Sequence, residues 1–260
     1  MAARTVLNRF ERYPMSAGFQ FLSMATARAA RAASAARAAT ATAAAAVVAA
    51  LAFAPVAAQA QSAGTWLGKV GVNNIRPDVK SGNLSAPSLP GTKIDIKDAT
   101  SLIGTLAYMV TDDISVEFYA GLGYKHDVIG DGAIKGAGKI GTVKQVSPTL
   151  FGQYRFLGSS AALRPYVGLG LTYAYFYGEE GTSALTALTN PGGPPTRISA
   201  GSAWGLSPQV GLTFAFSESW FIDGSVIKTY IKNTTSLSTG QKIETRLDPL
   251  SVNLSVGYRF

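Results

Sequence analysis

The last eleven residues, Leu250-Ser251-Val252-Asn253-Leu254-Ser255-Val256-Gly257-Tyr258-Arg259-Phe260, alternate throughout between an apolar side chain and a polar or small one. Successive side chains of a strand point to opposite faces, so this run has one wholly apolar face and one polar face. A helix would scatter the same residues around its circumference. The period returns upstream. Trp204, Leu206, Pro208, Val210, Leu212, Phe214 and Phe216 alternate with small or polar residues; so do Ile114, Val116, Phe118, Ala120, Leu122 and Tyr124, and Val167, Leu169, Leu171, Tyr173 and Tyr175. Weaker runs lie at 65–77, 99–110, 143–157 and 219–232. Each run is about ten residues or more, the length at which a tilted strand crosses a bilayer.

Between these runs, short breaks fall at Thr111-Asp112-Asp113, around Gly158-Ser159-Ser160 and at Ser217-Glu218-Ser219. Longer polar or Gly/Pro-rich stretches lie near 78–98, 127–142, 178–200 and 233–246. Short turns alternating with long loops predict an all-β fold: an eight-stranded antiparallel transmembrane β-barrel with short periplasmic turns and long extracellular loops. A soluble barrel of the lipocalin kind would turn its apolar face inward. Against it, the polar face here is rich in Gly, Ser, Thr and Ala, which suits a narrow lumen. Aromatics also gather near strand ends (Trp66, Tyr108, Tyr124, Tyr154, Phe156, Tyr173, Tyr175, Trp220, Tyr258 and Phe260), as in the girdles at lipid–water boundaries.

Residues 1–60 read differently. Six arginines (Arg4, Arg9, Arg12, Arg28, Arg31, Arg37) and a single acid, Glu11, precede or enter an alanine-rich apolar run at 38–57 that ends in Ala58-Gln59-Ala60. A basic region, an apolar stretch and a small-residue exit predict a signal peptide cleaved after Ala60. The start is Met1, Met15 or Met24. An organelle transit peptide and an apolar membrane anchor are the alternatives. Removing this segment leaves residues 61–260 as one barrel domain. The formal charge of the whole chain is +8, and most of it belongs to the segment removed. No polybasic patch remains, so nucleic acid is not an expected partner. The chain has no cysteine, which excludes a disulfide framework and thiol chemistry.

Several ordered motifs go beyond periodicity. They are Tyr108-Met109 before Thr111-Asp112, Val116-Glu117, Lys125-His126, Pro148-Thr149-Leu150, Arg164-Pro165-Tyr166-Val167-Gly168 with Gly170, Trp204-Gly205 with Gln209-Val210-Gly211, Leu247-Asp248-Pro249, and the closing Gly257-Tyr258-Arg259-Phe260. In this order and spacing, residues 64–260 resemble the OmpW family of small outer-membrane barrels. Ser147 departs from the pattern, since relatives often carry a second proline there, and the 178–200 stretch matches nothing in it. The resemblance implies an outer-membrane location among lipids and lipopolysaccharide, and passive uptake of small hydrophobic solutes. It also implies lateral release into the membrane, with Pro148 in strand 4 as the candidate gap. The terminal Tyr258 and Phe260 resemble the signal read by the barrel-assembly machinery.

An eight-stranded lumen is just wide enough for side chains. With strand 1 rising from the periplasm, Lys69, Glu117, Arg155, Asp223 and Arg259 fall on inward registers near the base. Buried charges need partners, so a charge plug is expected, with Asp223–Arg259 on adjacent strands as its leading pair. Solvated charges in a wet lumen are the alternative. Higher up, inward registers carry Ile103, Tyr119, Phe151, Phe176 and Ile227, an apolar path for hydrophobic solutes or else the ordinary packing of a narrow barrel. Proline cannot donate to a ladder, so Pro148 marks either a lateral gap or a rim bulge, and Pro208 is a position of the same kind.

Other signals carry less. Gly136-Ala137-Gly138-Lys139-Ile140-Gly141 fits G-x-G-x-x-G, but no helix pattern follows it, so a loop is expected. The only histidine, His126, cannot supply a metal cluster. No cofactor and no catalytic residue is expected. Two alternatives to transport stand: an adhesive or structural barrel acting through its loops, and an outer-membrane enzyme using His126 and Asp127.

Overall fold

A computed structural model describes residues 61–260; the expected signal peptide lies outside the described residues. The strands are β1 (Trp66–Arg76), β2 (Lys80–Ser81), β3 (Thr92–Ile96), β4 (Ala99–Met109), β5 (Ile114–Gly121), β6 (Tyr124–Gly132), β7 (Lys139–Val146) and β8 (Thr149–Arg155). They continue with β9 (Leu163–Gly181), β10 (Ile198–Ala200), β11 (Ala203–Ala215), β12 (Trp220–Lys228), β13 (Lys232–Leu237), β14 (Lys242–Arg246) and β15 (Leu250–Arg259). Among the described residues one helix, α1 (Ser183–Thr189), interrupts them, with the Thr182 hydroxyl accepting from the Leu185 amide as its cap.

Eight strands close the barrel in the antiparallel order β1-β4-β5-β8-β9-β11-β12-β15, and β15 returns to β1. Closure removes the exposed edges that an open sheet would carry. The chain end completes it: Trp66 and Phe260 exchange both backbone bonds, at 2.9 and 3.0 Å. Tyr258 and Phe260 are exposed and stacked.

The alternating registers sort as expected. Val70, Val72, Leu102, Leu106, Val116, Phe118, Leu169, Leu171, Val210, Leu254 and Val256 are exposed on the outer wall. Thr105, Ser115, Gln153, Thr172, Ser207, Gln209, Ser225, Asn253 and Ser255 are buried inside. This is the reverse of a soluble barrel, and only a lipid surround leaves such a wall at rest. Aromatic pairs ring the lower edge, Trp66–Tyr108, Tyr154–Phe156 and Trp220–Tyr258, with Tyr173–Trp204 above. Among the described residues no helix is long and apolar enough to span a membrane; the strands cross it.

Two expectations need correction. The stretches at 78–98, 127–142, 178–200 and 233–246 are largely ordered. β3, β6, β7 and the upper half of β9 extend the barrel wall, and β10, β13, β14 and β2 form a second sheet. Gly136 and Gly138 sit at positive φ before strand β7, so the glycine-rich motif is a hairpin turn. Tyr124 is the second correction. Expected on the outer face with Ala120 and Leu122, it is instead buried inside. The backbone irregularity at Leu122-Gly123, with Gly123 at φ +111°, shifts the phase by one residue. Odd residues face inward on β5, whereas Tyr124, His126 and Val128 face inward on β6. A one-residue slip moves every following side chain to the other face.

Candidate functional site

Three layers fill the described lumen. At the base, Lys69 Nζ lies 2.8 Å from Glu117 Oε2 and 3.2 Å from Asp223 Oδ1, all three side chains nearly or wholly buried. Tyr166 Oη and Thr213 Oγ1 donate to the two Asp223 oxygens at 3.0 and 2.8 Å. Arg155 donates to Ser115, Gln61, Thr213 and Gln153 and stands 4.9 Å from the Tyr166 ring centre. Arg164 donates to the backbone carbonyls of Gln61, Asp112 and Leu157, tying two periplasmic turns to the segment that precedes β1.

Four of the five expected base charges therefore meet. The Asp223–Arg259 pair does not form. The β12–β15 ladder sets Asp223 opposite Ser255 and Trp220 opposite Tyr258, so Arg259 falls four residues lower, at the rim, where it donates to the Glu218 carbonyl. Asp223 turns to Lys69 instead. Arg164 and Tyr166 escaped the sequence reading, although both lie on the even-numbered inward register of β9 that Phe176 occupies. Extending that register downward would have found them.

Above the charges, Gln153 donates to Gln209, while Gln209 and Asn253 both donate to Ser225, a belt of amides across the barrel. Ile103, Tyr119, Phe151 and Ile227 form one buried cluster, with Tyr119 and Phe151 edge to face at 6.3 Å. All four point inward, and they pack together as a floor. Phe176, the fifth, stands higher.

Over this floor lie two adjoining spaces that share Gln145, Ala174 and Ile231 in their linings. The lower is lined by Asn73, Tyr119, Tyr124, Gln145, Ser147 and Thr149 among others. The upper, of about 100 Å³ and partly open to solvent, is lined mainly by aliphatic side chains, including Ile94, Val128, Val143, Leu185, Ile231 and Ile243, with Phe176. The hairpins corrected above supply most of these residues, and α1 adds Leu185 from the stretch that resembled nothing.

The wall beside the lower space is incomplete. The β5–β8 ladder ends at Tyr119↔Thr149, and the β6–β7 ladder restarts at Tyr124↔Gln145, leaving 120–123 and 146–148 without mutual pairing. The β4–β5 ladder likewise ends at Ile103↔Gly121. Pro148 borders the first opening, but the Pro148 carbonyl accepts from the Tyr173 amide at 3.0 Å. Residues opposed in this way exchange both bonds, so the donor that proline lacks would have faced β9. The break toward β5 and β6 follows the phase shift at Leu122-Gly123. Pro208 is paired with Leu169 in a regular ladder.

His126 and Asp127 point to opposite faces, as adjacent strand residues must. His126 lines the upper space, and Asp127 pairs with Lys139 at 2.7 Å on the outside. They form no catalytic dyad.

The family model described as the OmpW family matches residues 62–260. The chain is 35% identical to outer membrane protein W of Salmonella typhi over 210 residues, 78% of this chain and 92% of that one. It is 23% identical to the dibenzothiophene metabolism operon protein PahQ of Pseudomonas aeruginosa over 199 residues, 75% of this chain and 88% of that one. The fold superposes on the crystal structure of OprG from Pseudomonas aeruginosa with a TM-score of 0.71 and 27% identity, covering 78% of this chain and 99% of that one. A lipid-facing closed barrel, a charged base under an apolar upper lumen and a match across the whole described region make this chain an outer-membrane β-barrel protein of the OmpW family.

Proposed function

We propose that the protein admits small hydrophobic molecules passively from outside into the upper space and releases them sideways, through the break between β5/β6 and β7/β8, into the outer membrane. The observation that carries this is the stacking of an aliphatic cavity on a packed floor and a buried charge cluster, with a wall opening just above the floor. A solute entering from above meets apolar surface worth about 25 cal/mol per Å² removed from water. Continuing downward would require it to displace the amide belt and the buried ions, each of which costs several kcal/mol to disturb. The opening leads instead to lipid. The name of PahQ, which ties that relative to dibenzothiophene metabolism, is in keeping with an apolar cargo. Lipids, lipopolysaccharide and the solute are the partners in this reading, and Tyr258 with Phe260 is the mark read by the barrel-assembly machinery.

The test is a reversible closure of the opening. Extending the β5–β8 register by one places Ala120 opposite Pro148, at the lower end of the break. A disulfide holds its two Cβ atoms about 3.5–4.5 Å apart, so a bridge between these positions would draw the lower end of the break shut. The chain has no cysteine to compete. Oxidised Ala120→Cys/Pro148→Cys is expected to take up a hydrophobic solute at least about tenfold more slowly than the same protein after reduction, at equal surface level. Equal rates in the two states would overturn lateral release.

A further inference from the structure

We propose that His126 determines specificity in the upper cavity: its Nε2 accepts a hydrogen bond from the hydroxyl of an otherwise apolar solute, so that phenols and alcohols are held in preference to the parent hydrocarbons. This rests on the uptake reading above and names the solute class within it.

His126 is 3% exposed and lines the aliphatic cavity. Its Nδ1 lies 2.8 Å from the Lys97 carbonyl oxygen. A carbonyl only accepts, so Nδ1 carries the proton and a neutral ring leaves its lone pair on Nε2. β6 stands above the break in the wall, with Lys125 and Asp127 facing outward, and there burial pushes the imidazole below its ordinary range, which favours the neutral form. Nε2 has no partner among the described residues. A buried acceptor left unmet is costly, and a ligand donor removes that cost, whereas a hydrocarbon leaves it in place.

The lining continues the pattern. Thr245 Oγ1, in the same cavity, is buried without a partner. In the space below, beside the wall opening, Asn73 Oδ1 is buried and unpartnered too. A pure hydrocarbon passing from the cavity to the opening would strand each of these groups. A solute with one hydroxyl satisfies them in turn.

The probes are naphthalene and 1-naphthol, which differ by one hydroxyl, measured for binding to the full barrel in phosphatidylcholine vesicles. His126→Phe is expected to weaken 1-naphthol binding about five- to tenfold and to change naphthalene by less than about twofold. Equal changes for the two probes would overturn the assignment. A second measurement needs no variant. His126 is the chain's only histidine, so ¹⁵N-histidine labelling reports one ring. The Nε2 resonance is expected to move on adding 1-naphthol and to stay in place with naphthalene. An Nε2 signal indifferent to bound 1-naphthol overturns the hydroxyl contact while leaving uptake standing. A native barrel that binds neither probe overturns the uptake reading, and this inference falls with it.

Discussion

A barrel carrying Lys69→Met is expected to lose about 3–5 kcal/mol of unfolding free energy, read from urea titration in lipid vesicles. The reason is an asymmetry in the base. Asp223 holds two neutral donors besides Lys69, from Tyr166 and Thr213, and so keeps hydrogen bonds when the ammonium is gone. Glu117 does not. Its side chain is fully buried, and no hydrogen-bond donor is aligned on either oxygen, so its only compensation is the ammonium at 2.8 Å. Methionine would fill the stem volume and leave two buried carboxylates facing one another across the vacated charge. Breaking a buried ion cluster by removing one partner costs far more than replacing the cluster as a whole. The triple variant Lys69→Met/Glu117→Gln/Asp223→Asn should therefore recover most of the loss. If Lys69→Met instead cost under about 1 kcal/mol, the range of solvated pairs, the base would be wet and the argument for sideways release would lose its closed floor.

That network also shows where sequence reading succeeds and where it stops. Strand count, outer wall and the inward registers of Lys69, Glu117, Arg155 and Asp223 follow from alternation, because facing is a local property of the chain. The partner of Asp223 is not local. It depends on how far β12 slides against β15, and the terminal residues 258–260 alternate between apolar and polar at any register, so alternation alone does not separate Arg259 from other partners. Tyr124 failed for a related reason. Alternation runs through Leu122-Gly123-Tyr124 without a visible fault, and only the backbone reveals that Gly123 has left the strand conformation. The upper cavity was the least legible feature. Its walls come from hairpins whose Gly, Pro, Ser and Thr content reads as loop, while the aliphatic residues that line it are scattered singly through them. Their common direction arises from pairing along the extended wall and across the second sheet.

Gly211→Val is expected to destabilise the barrel by about 3 kcal/mol, combining overpacking with loss of a buried hydrogen bond. Gly211 sits directly opposite Tyr166 in the β9–β11 ladder, and a Cβ built there would overlap the tyrosine ring. A cross-strand glycine covered by an aromatic ring is a known way to close a curved sheet. Here the ring has further duties, since its hydroxyl reaches Asp223 and its face lies near Lys69 and Arg155. The glycine is therefore what lets the tyrosine lie flat enough to cap the ion cluster. A side chain at 211 would push the ring off that cluster, so the variant should weaken the base as Lys69→Met does. The two effects should then fall short of additive, because each disables the same network. Gly104→Val supplies the control: on β4 a Cβ at Gly104 meets nothing within 4 Å, and the change should stay within about 0.5 kcal/mol. Equal losses at 104 and 211 would mean that glycine serves strand flexibility throughout, with no special role under Tyr166. A loss confined to 211 and rescued by Tyr166→Leu, which removes the clash, would place the cause in the ring and the charges beneath it.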